Sequence, residues 1–179
     1  LLVVQNAAAS SPGLAFLLGT IDHFGEDGWQ DYWQALMDND VRVAADWSDA
    51  YEAAYTVSGG DRPLVVSYGS SPPAEVVYSE GERTEPQSTV IEATCVEQVE
   101  YAGVLAGTDR PEAARDMVAF MLSDDYQRTI PLANFVYPVT DVELPKVFVD
   151  FAVKADDPLS LDSEEIAAKR DRWTEEWRT

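Results

Sequence analysis

The chain opens on an uninterrupted apolar run, Leu1-Leu2-Val3-Val4, that ends at Gln5 and gives way to small and hydroxylated residues. A short continuous apolar segment bounded in this way reads as a buried strand, and one that starts at the first residue reads as part of a longer polypeptide. Ser10-Ser11-Pro12-Gly13 follows, and then Leu14, Leu17, Leu18 and Ile21 recur at the spacing of a helix, with Ser as N-cap and Pro in the first turn. Gly25 and Gly28 break that pattern ahead of a second helical stripe, Trp29, Tyr32, Trp33 and Leu36. Val41-Arg42-Val43 predicts a short strand, Asp46-Trp47-Ser48 the entry to a third helix carrying Tyr51, Ala54 and Tyr55, and Gly59-Gly60-Asp61 its end. Leu64 to Tyr68 reads as a buried strand emptying into Gly69-Ser70-Ser71-Pro72-Pro73.

Beyond that point the pattern is more polar. Ser79 to Ser88, with Gly81 and Pro86, predicts an exposed loop, and Thr89–Val96 and Gln98–Val104 predict strands. Asp109 to Glu112 has capping-box spacing and predicts a helix with Ala114, Val118, Met121 and Leu122 inward. Ser123-Asp124-Asp125 starts another short helix, and Asn134 to Pro138 is a turn with two aromatics. A last helix begins near Asp162-Ser163, with Ile166, Arg170, Trp173 and Trp177 on one side. Strands alternating with helices make the chain α/β.

Charge changes the picture. The 179 residues carry 33 Asp and Glu against 12 Lys and Arg, a formal charge of −21. No basic surface exists for phosphate backbones, which excludes nucleic acid, and an anionic membrane surface is disfavoured for the same reason. Lys146, Lys154 and Lys169 are the only lysines, the other basic residues being Arg. An acidic, lysine-poor surface fits a protein of concentrated salt, where self-repulsion is screened within roughly 3 Å at 1 M, or else an ordinary acidic secreted protein. The longest apolar run, Met117 to Leu122, is far shorter than a membrane span. Cys95 is the single cysteine, so no intrachain disulfide forms.

Nucleophile, phosphate-loop, zinc-protease and dinucleotide motifs are all missing. His23, the one histidine, suits a helix C-terminus, and Cys95 in a Val/Ile-rich segment suits a small buried apolar role. Three constellations carry more. Ser10-Ser11-Pro12-Gly13 pairs two hydroxyls with the N–H groups of a helix start, either a plain cap or a cradle for an anion or hydroxyl. Asp46-Trp47-Ser48 places an indole before a helix, either packing or offering a face to an organic cation. Ser67-Tyr68-Gly69-Ser70-Ser71-Pro72 delivers hydroxyls from a strand end. All three follow strand carboxyl ends, where open α/β sheets bind ligands.

At these residues the sequence resembles the thiamine-binding extracytoplasmic solute-binding proteins of ABC transporters. The likeness rests on Ser10-Ser11-Pro12-Gly13-Leu14, Trp47 to Tyr51, Val66 to Pro72, Phe120 to Ser123, Ile130-Pro131 and Phe135 to Val139. It continues through Glu165 to Ala168, Arg172-Trp173 and Glu176-Trp177. It covers almost the whole chain, although a member of that family is nearly twice as long.

The resemblance implies a type 2 periplasmic-binding-protein fold, here the second lobe plus the C-terminal return into the first, with most of the N-terminal lobe absent. Residues 1–97 would be the second lobe; 98–179 would be the hinge crossing and a helical return packing on the first lobe. It implies a monomer outside the cytoplasm, with room for a lipid anchor upstream, that captures thiamine or thiamine phosphate in an interlobe cleft and hands it to permease subunits. No cofactor or metal is called for, and no bond is made or broken. Ser10 and Ser11 would hydrogen-bond the ligand, Trp47 would stack on its rings, and Tyr68 would reach the hydroxyethyl or phosphate end. Phe135 stands where a Trp is expected and would keep an aromatic wall; Ala74 stands where a Tyr is common. These departures leave room for a related solute, the alternatives being a ferric-ion, polyamine or organic-anion receptor and, more distantly, an enzyme on the same fold.

Overall fold

The computed structural model describes residues Leu1–Thr179. The chain forms two compact units, one of residues 1–69, 90–98 and 155–179, the other of 70–89 and 99–154.

The first unit is built on three parallel strands in the order β2-β1-β3: β1 Leu2–Gln5, β2 Arg42–Ala44 and β3 Leu64–Val65. Val3 pairs with Arg42 on one side and Val65 on the other, so β1 is central. Successive strand side chains point to opposite faces, and Val4 and Val3 accordingly seed two separate cores. Val4 packs with Leu17 and Ile21 of α1 (Ser11–Phe24), Trp29 and Trp33 of α2 (Trp29–Asp38), and Trp173. Val3 packs with Ala44, Ala50 and Ala54, the last two from a π-helical turn, Asp49–Ala54. Small residues suit that second face because the turn lies close to the sheet. At Gly60 even a methyl group would stand 2.0 Å from the Ala54 carbonyl oxygen.

The predicted stripes of α1 and α2 are the ones that go inside. Trp33, read as core, is buried and donates its Nε1–H to Thr20 Oγ1 at 2.9 Å. Gly13 lets α1 approach the sheet: a Cβ there would sit 2.5 Å from the Gln5 carbonyl oxygen. The strand expected at 41–43 lies one residue later, and the one expected over 64–68 is a two-residue edge with Leu64 exposed. Edge position leaves one side of Leu64 in solvent, which an apolar run alone does not reveal.

The second unit contains α3 (Ser71–Val77), α4 (Pro111–Met121), α5 (Asp124–Gln127), α6 (Ile130–Ala133) and α7 (Lys146–Phe151). Its buried members include Phe148, against which Tyr137 packs edge-on at 5.1 Å. Gln127 is buried and ties two segments, donating to the Met121 carbonyl at 2.6 Å and accepting from the Val139 N–H at 2.8 Å. The buried Glu75 accepts from Gln87 N–H (2.7 Å), Ser88 N–H (3.2 Å) and Ser88 Oγ (2.5 Å), fastening the end of the polar 79–88 loop to α3.

Several expectations need correction here. Thr89–Val96 and Gln98–Val104 are not strands: the first holds a single 3₁₀ turn, Glu92–Thr94, and one bridge between Val96 and Leu159, and the second no regular structure. A strand needs a neighbour for its N–H and C=O groups, and no neighbouring strand is present. Asp109 does not cap α4; Arg110 stands at that position, and no residue of α4 is buried. Cys95 is half-buried at the end of the 3₁₀ turn, where burial, and then the charge of Glu92, push its thiol pKa up. The two units do not divide at residue 97. The final helix α8 (Ser163–Arg178), with Asp162 accepting from the N–H groups of Glu164 and Glu165, belongs with residues 1–69 through Trp173. No helix is long and apolar enough to cross a membrane.

Candidate functional site

Three loops leave the carboxyl ends of the three parallel strands, and the sheet order makes them neighbours. Behind β1, the Asn6 N–H donates to the Ala44 carbonyl at 2.9 Å, tying the β1 exit to the β2 exit. Gln5, fully buried, donates Nε2–H to the Val66 carbonyl at 2.7 Å, tying the β1 exit to the β3 exit. Parallel pairing thus brings together what lies tens of residues apart in sequence.

On the β1 exit, Ser10 occupies the N-cap of α1 with extended backbone, yet its side chain makes no capping hydrogen bond. Ser11 opens the helix and is exposed. The hydroxyls stand beside N–H groups of the first turn that lack intrahelical partners, an arrangement that welcomes an oxygen acceptor.

On the β2 exit the residues around Trp47 fold the turn that presents it. Asp46 accepts from the Asp49 N–H at 2.9 Å; Asp49 in turn accepts from Ala45 N–H (3.1 Å) and from Arg42 (2.9 Å). Trp47 is held on two sides. Its indole stacks on Tyr51, centroids 4.8 Å apart and 12° from parallel, and its Nε1–H donates to Ser67 Oγ at 2.9 Å. Tyr51 leans on Tyr55 at 5.4 Å. On the β3 exit, Tyr68 comes to 6.4 Å from the Trp47 ring at a 39° tilt and is 43% exposed.

The structure therefore brings Trp47 and Tyr68 together and sets Ser10 and Ser11 on the neighbouring exit. Phe135 belongs to the second unit. There it takes a left-handed backbone, φ 52°, its carbonyl accepts from Ser70 Oγ at 2.5 Å, and its ring meets Tyr78 at 5.4 Å. Ala74 lies half-buried in α3. His23 is exposed in the last turn of α1, edge-on to Phe24 at 4.6 Å, away from these contacts.

The contacts that Gln5, Tyr51 and Ser67 make at these exits were not assigned from sequence. Gln5 ends an apolar run, and that polar intrusion was its only signal. Tyr51 lies four residues after Trp47, the spacing of helical neighbours, which did announce a possible stack. Ser67 had no signal as the Trp47 acceptor, because that contact spans two strand exits.

The chain also has relatives of known kind. Residues 1–166 match the family described as bacterial extracellular solute-binding protein. The chain is 34% identical over 176 residues to the thiamine-binding periplasmic protein of Escherichia coli and 33% identical over 180 residues to that of Salmonella typhimurium. In each case 98% of this chain is covered and 52% of the relative, so the chain spans about half the length of these curated relatives. A solved periplasmic thiamin binding protein superposes with a TM-score of 0.81 at 31% identity, covering 99% of this chain and 54% of that one. The α/β expectation holds, and what the chain carries is part of a type 2 periplasmic-binding-protein fold. With the family model running through nearly its whole length, the chain belongs to the bacterial extracellular solute-binding proteins.

Proposed function

We propose that this chain supplies ligand contacts of an extracytoplasmic thiamine receptor that serves an ABC importer, handing its solute to membrane permease subunits without chemical change. The observation that carries the reading is Trp47, an indole stacked on Tyr51, pinned by Ser67 and flanked by Tyr68 where three parallel strands end. Thiamine is a flat, permanently cationic thiazolium joined to an aminopyrimidine. It calls for an aromatic face, a few hydroxyls and a negative surrounding field. The chain offers each of these, the field arising from a charge of −21. The names of the Escherichia coli and Salmonella relatives support the same ligand.

In this reading Trp47 stacks on the cationic rings, Tyr68 meets the hydroxyethyl end, and Ser10 and Ser11 serve a ring substituent or the phosphate of an ester. Phe135, in the second unit, keeps an aromatic ring without the N–H that a Trp would add. The test is a titration of the chain with thiamine and with thiamine monophosphate, followed by indole fluorescence and calorimetry. Saturable quenching by thiamine that is lost in Trp47→Ala is expected. A folded chain whose fluorescence is indifferent to millimolar thiamine overturns the assignment.

A further inference from the structure

One face of the sheet holds a group that packing does not explain. Alternation along β1 places Gln5 on the face of Val3, over which the Asp49–Ala54 turn lies, and the buried neighbours there, Ala44, Ala50 and Ala54, are apolar. Gln5 is nevertheless fully buried, and only half of its amide is used. Nε2–H donates to the Val66 carbonyl, while the buried Oε1 accepts nothing from the protein. The chain's other buried amide, Gln127, spends both ends. A buried acceptor left unspent costs stability, which an apolar side chain of the same length would avoid. The reason for a glutamine lies in what its one hydrogen bond holds.

That bond falls just past the end of β3 at Val65. Val66 is gripped on both sides, its N–H donating to the Val3 carbonyl at 3.0 Å and its carbonyl accepting from Gln5 at 2.7 Å. Because a peptide is planar, this fixes the unit that joins Val66 to Ser67. Ser67 Oγ in turn accepts the Trp47 Nε1–H at 2.9 Å. The stack on Tyr51 sets the plane of the indole but lets it turn within that plane, and the hydrogen bond to Ser67 stops the turn. We propose that Gln5 is a positioning residue of the site: its buried amide fixes Ser67, and through Ser67 the orientation in which Trp47 presents its face. Gln5 touches no ligand. Its effect on thiamine affinity rests on the proposed role of Trp47; its effect on the indole does not.

The experiment labels the side-chain nitrogens of tryptophan and glutamine in the whole chain and follows their N–H signals by NMR, without ligand. Gln5→Met removes the amide at nearly equal length. The Trp47 Nε1–H should then shift toward its position in Ser67→Ala and exchange with water at least about twofold faster, while the Trp33 Nε1–H, bonded to Thr20, stays in place. The melting temperature should move little, because loss of the bond is offset by removal of the unspent acceptor. A lower melting temperature with the Trp47 signal unmoved is what a merely structural Gln5 gives, and it overturns the proposal. In the wild-type chain, the Gln5 amide protons should exchange far more slowly than those of the exposed Gln30; equal rates overturn it without any variant having to fold. Titration with thiamine completes the cycle. Gln5→Met should weaken binding about two- to tenfold, and Gln5→Met combined with Ser67→Ala no more than Ser67→Ala alone, since both act on one contact. Additive losses overturn the proposal. A displaced Trp47 signal in a chain indifferent to thiamine upholds it and strikes the ligand instead.

Discussion

Replacing Trp47 by alanine removes the surface on which the proposed ligand rests, and the structure sets the size of the loss. One face of the indole is already occupied by Tyr51 at 4.8 Å, so at most one face serves a ligand. A ligand ring covering roughly 30–50 Å² of it contributes about 0.8–1.3 kcal/mol at ~25 cal/mol per Å². A cationic thiazolium adds about 0.5–2 kcal/mol, the upper end applying where water is excluded. Trp47→Ala should therefore weaken thiamine by about 1–3 kcal/mol, roughly five- to 150-fold. Ser67→Ala makes a finer test. It leaves the ring in place and removes only the 2.9 Å hydrogen bond that orients it, so a loss of about 0.5–1.5 kcal/mol, twofold to tenfold, is expected. Trp47→Phe should fall between, keeping the stack on Tyr51 without the Nε1–H donor. The assay is titration calorimetry with indole fluorescence; of the other four tryptophans Trp29, Trp33 and Trp173 are buried and Trp177 packs edge-on against Trp33 at 5.5 Å, so a ligand-dependent change should report chiefly on Trp47. If Trp47→Ala binds thiamine as wild type does while its circular dichroism and melting are unchanged, the stacking assignment is wrong.

Trp33→Phe loses the buried donor to Thr20 and part of the core beside Val4; destabilisation by about 1–3 kcal/mol in urea, with thiamine affinity unchanged, is expected. Tyr68→Phe should cost thiamine about 0.5–1.5 kcal/mol, and cost the monophosphate more if the hydroxyl meets that end; equal affinities would remove Tyr68 from the ligand. Glu26 is held below the ordinary carboxylate range by hydrogen bonds from Lys169 and then Arg172 on α8. A lowered carboxylate stabilises the folded state above the usual carboxylate pKa and loses that contribution as pH falls through its folded value. Glu26→Gln should therefore flatten the acid side of a melting-against-pH curve, and an unchanged acid side would refute the linkage. With a charge of −21, the melting temperature should climb from low to multimolar KCl, and a flat or falling series would remove the high-salt reading.

Sequence alone determined the local elements with strong periodicity. The stripes of α1 and α2, the start of α8 at Asp162-Ser163 and the opening strand are set by apolar spacing and capping chemistry within a few residues, and the structure keeps them. It also marked Ser10, Ser11, Trp47 and Tyr68, because each stands in a segment that follows a predicted strand, where open α/β sheets bind ligands. What sequence could not determine depends on partners distant in the chain. The order β2-β1-β3 decides that the loops after Gln5, Ala44 and Val65 are neighbours, and only then does Ser67 become the acceptor for Trp47. The 98–104 segment fails for the same reason in reverse: its alternation is that of a strand, but a strand is a relation between two segments, and none lies alongside it. Helix α8 shows the rule at longest range. Its stripe named Trp173 as inward-facing, but only folding against Val4, Leu17 and Trp33 decided that the last helix shares a core with the first strand.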